Sequence, residues 1–417
     1  YRNQQAIGLY DRLLQYPLPA EAELSAWENK GKAQRIAGDW QAARQTYAQM
    51  LERAEALDLP LWQAKAANAL AYFLLVHGEI EQGTALAERA QRLAVQIGAR
   101  EEQAQALRNL GIACNKSGAW SRAREIHTEM LALAKEIDDL SAIVSALFQL
   151  RQDLLEEGTL IPEFEKYLRR AEEKNDLRLV ASLWFYIGDV YLLQHDYPAA
   201  EQANRHMYEI VYQIGDKHGM CYAIGDRGIV LSEQGRFEEA IECYREKLAL
   251  ARELGDGYNL WEGTFNWAAV QTYQEKHAEA LELLQAAAEI ARKYTLKGEL
   301  TLTLLALAEN AWARGALAEA RNALAEADAL NADLGDETFS RQSRLLTAKL
   351  EHDLDLLDGL LHSARTDEER AELCFERWCM THAEEDRQQA LHWYQSIDGR
   401  FLGYTQKNRL AKLTAQA

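Results

Sequence analysis

The chain has 417 residues, a formal net charge of −19 and five Pro. That acidity excludes bulk neutralisation of nucleic-acid phosphates and argues against docking on anionic lipid. Abundant Ala, Leu, Glu and Gln with so little Pro predict an all-α chain. Its five Cys (Cys114, Cys221, Cys243, Cys374, Cys379) are odd in number and follow no disulfide framework, so a reducing, cytoplasmic setting is expected. No apolar run approaches the roughly 18 residues of a membrane span. The chain begins at Tyr1, which reads as a piece of a longer protein or a processed one.

Residues 1–20 read as an N-terminal helix or flank. From 21 to 335 a spacing of about 40 residues recurs, the signature of stacked supersecondary repeats. Its anchors are Ala43, Gly83, Ala123, Ala200, Ala240, Ala280 and Ala320. Twelve residues before each stands another small residue: Gly31, Ala71, Gly111, Gly188, Gly228, Ala268 and Ala308. Small residues at matched points let two helices approach closely, and apolar residues flank them at i, i+3, i+4, i+7 spacing. Gly98, Gly215, Gly255 and Gly335 share one column, filled elsewhere by Asp138, Asn175 and Thr295. That column suits the left-handed residue that ends a helix. Asp216, Asp256 and Asp336 follow it, placed to cap the next helix or begin its first turn. Each repeat is thus helix A, turn, helix B, cap.

The fourth repeat, about 140–175, is degenerate. Arg151 and Glu163 stand where small residues belong, and the next repeat arrives after 37 residues. A bend or a functional contact is expected there. Residues 336–396 carry divergent repeats with Ala348, Leu360 and Ala390 in the anchor columns, and 397–417 read as a C-terminal capping helix.

The small residue of helix A, the Ala of helix B, and Trp27 and Trp184 at the fourth helix-A position resemble the tetratricopeptide repeat (TPR). The 40-residue form is similar to the sensor arrays of bacterial signal-transducing ATPase (STAND) regulators, to peptide-pheromone receptors and to spindle-orienting scaffolds. The resemblance implies a right-handed α-solenoid of about nine to ten TPR-like helix-turn-helix repeats. It also implies ligand binding along a concave groove lined by helix-A positions 2, 5, 9, 12 and 13.

With the small residue as position 8, the first three repeats place Lys32, Arg35, Lys65, Arg108 and Lys116 in those columns, against Glu28. From the fourth repeat to Ala313 they hold Glu156, Asp189, Glu233, Glu262 and Glu309, with no Lys or Arg. The expected groove is basic at one end and acidic at the other. The same columns supply Tyr72, Phe148, Phe185, Tyr222, Phe265, Tyr273 and Trp312, aromatics suited to anchoring a partner. Asn68 and Asn115 lie in them too, and position 6 adds Asn29, Asn109, Asp226 and Asn266. Side-chain amides can bond an extended peptide's main chain through both donor and acceptor. The expected ligand is a protein or peptide with an acidic end and an apolar middle.

No phosphate-binding loop, dinucleotide fingerprint, zinc-protease or nucleophile-elbow motif is present, so no catalytic constellation, cofactor or metal is expected. Cys374, Cys379 and His382 share about two helical turns but lack a second ligand pair. Trp40, Trp120 and Phe237 at the turns into helix B are expected to seal the two helices of a repeat. The favoured function is a non-enzymatic TPR module, the partner-sensing array of a larger bacterial regulator. A stand-alone scaffold or peptide receptor and a small-molecule-sensing solenoid are the alternatives.

Overall fold

Among the described residues, left-handed backbone positions separate many of the helices. In the computed structural model, residues 2–37, 39–76, 79–117, 119–151, 154, 159–364, 366–397 and 402–415 are described, and their regular structure is entirely α-helical. Helix Arg2–Leu13 precedes ten helical hairpins. Hairpins 1 to 3 pair Ala20–Ile36 with Trp40–Ala56, Pro60–Val76 with Ile80–Ile97, and Arg100–Lys116 with Trp120–Glu136. Hairpin 4 has a shortened A helix, Leu140–Gln149, before Leu160–Glu173. Hairpins 5 to 8 pair Leu177–Leu193 with Tyr197–Ile214, Lys217–Glu233 with Phe237–Leu254, Gly257–Tyr273 with His277–Lys293, and Lys297–Ala313 with Leu317–Leu334. Hairpins 9 and 10 pair Glu337–Glu351 with Leu354–His362 and Asp367–Thr381 with Glu384–Ser396, and helix Tyr404–Ala415 ends the chain.

The residues group into two compact units. Unit 1 is Tyr1–Tyr186 with Glu209–Met220 and Glu253–Asp256; unit 2 is Ile187–Tyr208, Cys221–Arg252 and Gly257–Ala417. Within each, an A helix packs on its own B helix and that B helix on the next A helix. The fold is an all-α TPR-like solenoid. Among the described residues no helix is long and apolar enough to cross a membrane.

The junction column is left-handed throughout. Gly98, Gly215, Gly255 and Gly335 have φ of 65° to 71°, and Asp58, Asp138, Asn175 and Thr295 fill the same place at 49° to 57°. A second left-handed residue turns the chain between A and B helices, at His195, Gly235, Glu275 and Gly315. Asp216 and Asp336 then cap the following helices, accepting from the N–H of Gly219 at 3.0 Å and of Thr338 at 2.8 Å. The Asp256 carboxylate lies 3.0 Å from His218 Nδ1.

The small columns mark where an A helix crosses its B helix. A Cβ on Gly31 would lie 2.6 Å from the Tyr47 ring, and one on Gly228 2.7 Å from the Tyr244 ring. The partner sixteen positions on therefore takes the space that the glycine gives up. Hairpin 2 reverses the arrangement, since a Cβ on Gly83 would meet Leu75 at 2.6 Å.

Two of the aromatics at the A–B turns reach beyond their own hairpins. Trp40 packs 6.4 Å from Phe73 of the next A helix and edge-on to His218 at 5.6 Å. Phe237 packs 6.3 Å from Tyr273 and 5.0 Å from Tyr404. A residue opening helix B points along the stack, so its ring reaches the neighbouring A helix. The side chain of Trp120 lies outside the described residues.

Two substitutions test this geometry by thermal unfolding followed by circular dichroism. A β-branched side chain is disfavoured at left-handed φ, so Thr295→Gly is expected to raise stability by roughly 0.5–1 kcal/mol. Gly228→Ala is expected to lower it by about 1–3 kcal/mol, because the Tyr244 ring leaves no room for the methyl group.

Candidate functional site

In unit 1 the A-helix face carries a run of rings and guanidinium groups. Tyr72 lies between two of them, with Arg35 Cζ 5.9 Å and Arg108 Cζ 5.2 Å from its ring centroid. Both distances fit cation–π attraction. Among the described residues neither arginine forms an ion pair. Further along, Phe148 stacks on Tyr186 at 4.1 Å and 21°, with Phe185 at 6.1 Å. Arg151 lies over the same Phe148 ring at 4.2 Å and donates to the Phe148 carbonyl at 3.1 Å. Burial pushes the Tyr186 hydroxyl's pKa up, while the fields of Arg108 and Arg151 pull it down.

Arg151 and Tyr186 were not among the expected groove residues. Arg151 occupies the column that elsewhere holds Gly or Ala, and its departure from the repeat was the signal. Tyr186 sits at position 6, where the other hairpins suggested amides.

The amides are the main correction. Asn68 and Asn109 are buried, at 2% and 0% exposure, and their amides are used inside the stack. Asn109 Nδ2 donates to the Asn68 carbonyl at 2.9 Å; Asn68 Nδ2 donates to the Glu102 carbonyl and to Glu102 Oε2, each at 3.0 Å. They tie neighbouring A helices and are not offered to a ligand. Asn29 donates to the Ser25 carbonyl of its own helix at 2.9 Å, and Asn115 donates to Gln149 Oε1 at 3.1 Å. Lys32 pairs with Glu28 at 2.5 Å, Lys65 lies 4.8 Å over Trp62, and Lys116 is exposed.

In unit 2 the acids are not unopposed, because two lysines reach them. Lys247 belongs to a B helix yet its side chain is 1% exposed. It threads between two A helices at their glycines. A Cβ on Gly225 would lie 2.5 Å from its Nζ, and one on Gly263 3.5 Å from its Cδ. Its ammonium pairs with Glu262 and lies 5.7 Å over Tyr222. Column counting along helix A cannot see a residue delivered from helix B; Gly225 and Gly263, outside the repeat's small columns, were the trace it left. Lys349, at position 9 of hairpin 9, lies beyond the stretch in which the acids were counted. Its Nζ is 4.2 Å over Trp312 and 3.4 Å from both Glu309 and Glu376.

Asp226 is half-buried beside Glu262, Lys247 and Asp189. Loss of hydration, then the charge of Glu262, pushes its pKa up to about 8, against the pull of Lys247. Phe265 stacks on Trp261 at 5.3 Å and belongs to the wall of the hairpin 7 and 8 core. Asn266 is half-buried on the same helix. Tyr273 donates its hydroxyl to Glu233 Oε1 at 3.0 Å, and Tyr404 covers its ring at 5.4 Å. Glu156 lies outside the described residues. Cys374 is buried and Cys379 exposed, and His382 is the left-handed residue ending its helix. Among the described residues no three His, Cys, Asp or Glu side chains gather as a metal site needs.

Stacked hairpins with small crossing residues define a helical-repeat protein, and comparisons with known proteins agree with that fold. Tetratricopeptide repeat family models match residues 179–253 and 106–141. None of the curated proteins matches the chain. The structure is similar to that of a Rap protein complexed with Competence and Sporulation Factor, with TM-score 0.60 and 15% identity, covering 96% of this chain and 100% of that one. A STAND protein with a tetratricopeptide repeat sensor from Pyrococcus horikoshii gives TM-score 0.48 and 14% identity over 85% of this chain and 52% of its own. NprR in complex with its cognate peptide NprX gives 0.49 and 14% over 79% and 98%. Two stretches of the chain thus match tetratricopeptide repeat models, and the likeness to the Rap protein shows a shared fold.

A measurement of stability against pH checks the Asp226 environment. An unfolded Asp loses its proton near 3.8, whereas folded Asp226 keeps it to about 8. The folded state thus holds the extra proton between those values, so this group's contribution falls as pH rises through the window. Asp226→Asn is expected to unfold at a higher temperature than the wild type at pH 8, with the difference shrinking towards pH 4.

Proposed function

We propose that this array is a non-enzymatic module that binds a protein or peptide partner on the A-helix face of unit 1. The observation that carries the reading is the Arg35–Tyr72–Arg108 arrangement, continued by Phe148, Tyr186 and Arg151. Two guanidinium groups held against one ring, without carboxylate partners among the described residues, suit a carboxylate, which accepts charge-assisted hydrogen bonds from such groups. The Phe148–Tyr186 stack beside them suits an apolar or aromatic side chain. The ligand is an extended segment with an acidic end or free carboxylate, followed by apolar residues. The Rap protein of similar fold, complexed with Competence and Sporulation Factor, supports partner binding on this kind of scaffold.

In this reading the array is the sensing part of a larger cytoplasmic regulator, and nucleic acid and membrane are not its partners. Because hairpins contact chiefly their neighbours, a small rotation per hairpin accumulates along the stack and reaches whatever is attached.

The test is fluorescence anisotropy with labelled peptides that place one or two acids before a run of apolar residues. The wild type is expected to bind such peptides at micromolar concentration. Arg35→Glu with Arg108→Glu is expected to weaken the best of them at least tenfold, with unchanged helix content. Equal affinity for the double variant would refute the reading.

A further inference from the structure

The last helix, Tyr404–Ala415, is attached differently from every hairpin before it. Of its 12 residues only Leu413 is buried, whereas Lys297–Ala313 buries eight of 17. Leu413 and the preceding Leu402 join the apolar cluster of hairpin 10, with Cys374, Phe375 and Tyr394. A cap for the end of the stack needs no more than that. The helix nonetheless reaches back to hairpins 5, 6 and 7. Glu233 Oε2 accepts the N–H of Tyr404 at 3.0 Å while its Oε1 accepts the Tyr273 hydroxyl at 3.0 Å. The Tyr404 ring stands edge-on to Phe237, 5.0 Å away at 84°. The approach is close: a Cβ on Gly403 would lie 2.7 Å from Glu233 Oε2, so the carboxylate would have to shift.

The remaining attachments are polar, and Arg387 Nη1 donates to the Leu413 carbonyl at 2.7 Å. The helix carries Lys407, Arg409 and Lys412 and no acid. Arg409 pairs with Glu372 at 2.9 Å and Glu376 at 3.0 Å, and Lys407 lies 5.8 Å over the Tyr197 ring. So the dock is a set of carboxylates and tyrosine rings, and its occupant is a basic, amphipathic helix led by an aromatic residue. An element with so little buried apolar surface belongs to the low-stability end of a fold, where local opening is cheap.

We propose that this dock, made by Tyr197, Glu233, Phe237 and Tyr273 with Glu372 and Glu376, is an interaction surface for a basic amphipathic helix of a partner protein. The chain's own C-terminal helix is its resident competitor. A partner helix supplying the same aromatic residue and cations displaces Tyr404–Ala415, and the displaced helix ceases to hold hairpins 6 and 7 to hairpin 10. The surface lies in unit 2 and takes a cationic segment. It does not rest on the carboxylate reading of unit 1, and loss of acidic-peptide binding there leaves it untouched.

The test uses the full chain and a fluorescein-labelled peptide with the sequence of residues 402–415. Gly403→Ala with Tyr404→Ala is expected to release the resident helix. Hydrogen exchange in Tyr404–Ala415 should then accelerate at least tenfold, while the hairpins keep their protection. The released variant is expected to bind the peptide at least tenfold more tightly than the wild type, and adding Glu233→Gln should remove most of that gain. Arg409→Ala, which loosens the helix from its other end, should enhance peptide binding in the same direction if the double variant folds poorly. Equal binding by wild type and both loosened variants, or no binding by a variant whose helix exchanges freely, overturns the proposal. So does a helix that stays protected in both variants. A concentration-dependent dimer of the released variant would assign the dock to a second copy of this chain and overturn the partner assignment.

Discussion

Everything in this stack depends on how closely an A helix crosses its B helix. The crossing is set by one missing or minimal side chain facing one chosen filler: Gly31 against Tyr47, Gly228 against Tyr244, Gly188 against Asn204. Interiors at crystal-like density turn such a match into a fixed angle, since neither a void nor an extra methyl group is tolerated cheaply. Repetition of that angle aligns the A helices, and alignment of the A helices puts Arg35, Tyr72 and Arg108 within reach of one another.

The same device, used off register, carries polar chemistry. Gly225 and Gly263 lie outside the crossing columns, and the space they leave admits the stem of Lys247. A lysine can bury its hydrocarbon stem between helices while its ammonium emerges beside carboxylates. The result is a B-helix charge on the A-helix side, paired with Glu262 and adjoining Asp226. A buried charge of this kind is sustained only by its partners, which explains why the acids of hairpins 5 to 7 cluster around it.

Much of the fold was legible in the sequence because the crossing and junction columns depend on local requirements. A left-handed φ favours Gly, Asn or Asp, and a close crossing favours Gly or Ala, so both leave periodic traces. The junction at Thr295 kept its place by spacing alone. The proposed binding surface was legible only in part. Its cations and rings were predicted by position, as with Arg35, Tyr72, Arg108 and Phe148, but position does not tell an exposed amide from a buried one. Asn68 and Asn109 fall in ligand columns and are consumed by helix–helix ties. Arg151, Tyr186 and Lys247 break the repeat, and a column average discards whatever breaks it. Tyr404 was beyond reach for another reason: its partners are far away in sequence.

That distance bears on how the molecule is made. The hydrogen bond from Tyr404 to Glu233 joins residues 171 positions apart, while most hairpin contacts are between neighbours. Neighbouring contacts form quickly, and long loops close late and at an entropic cost that grows with their length. During synthesis the hairpins can therefore assemble in order as they leave the ribosome. Unit 2 acquires this tether only once helix Tyr404–Ala415 has been made, so until then Glu233 and Tyr273 face whatever is nearby.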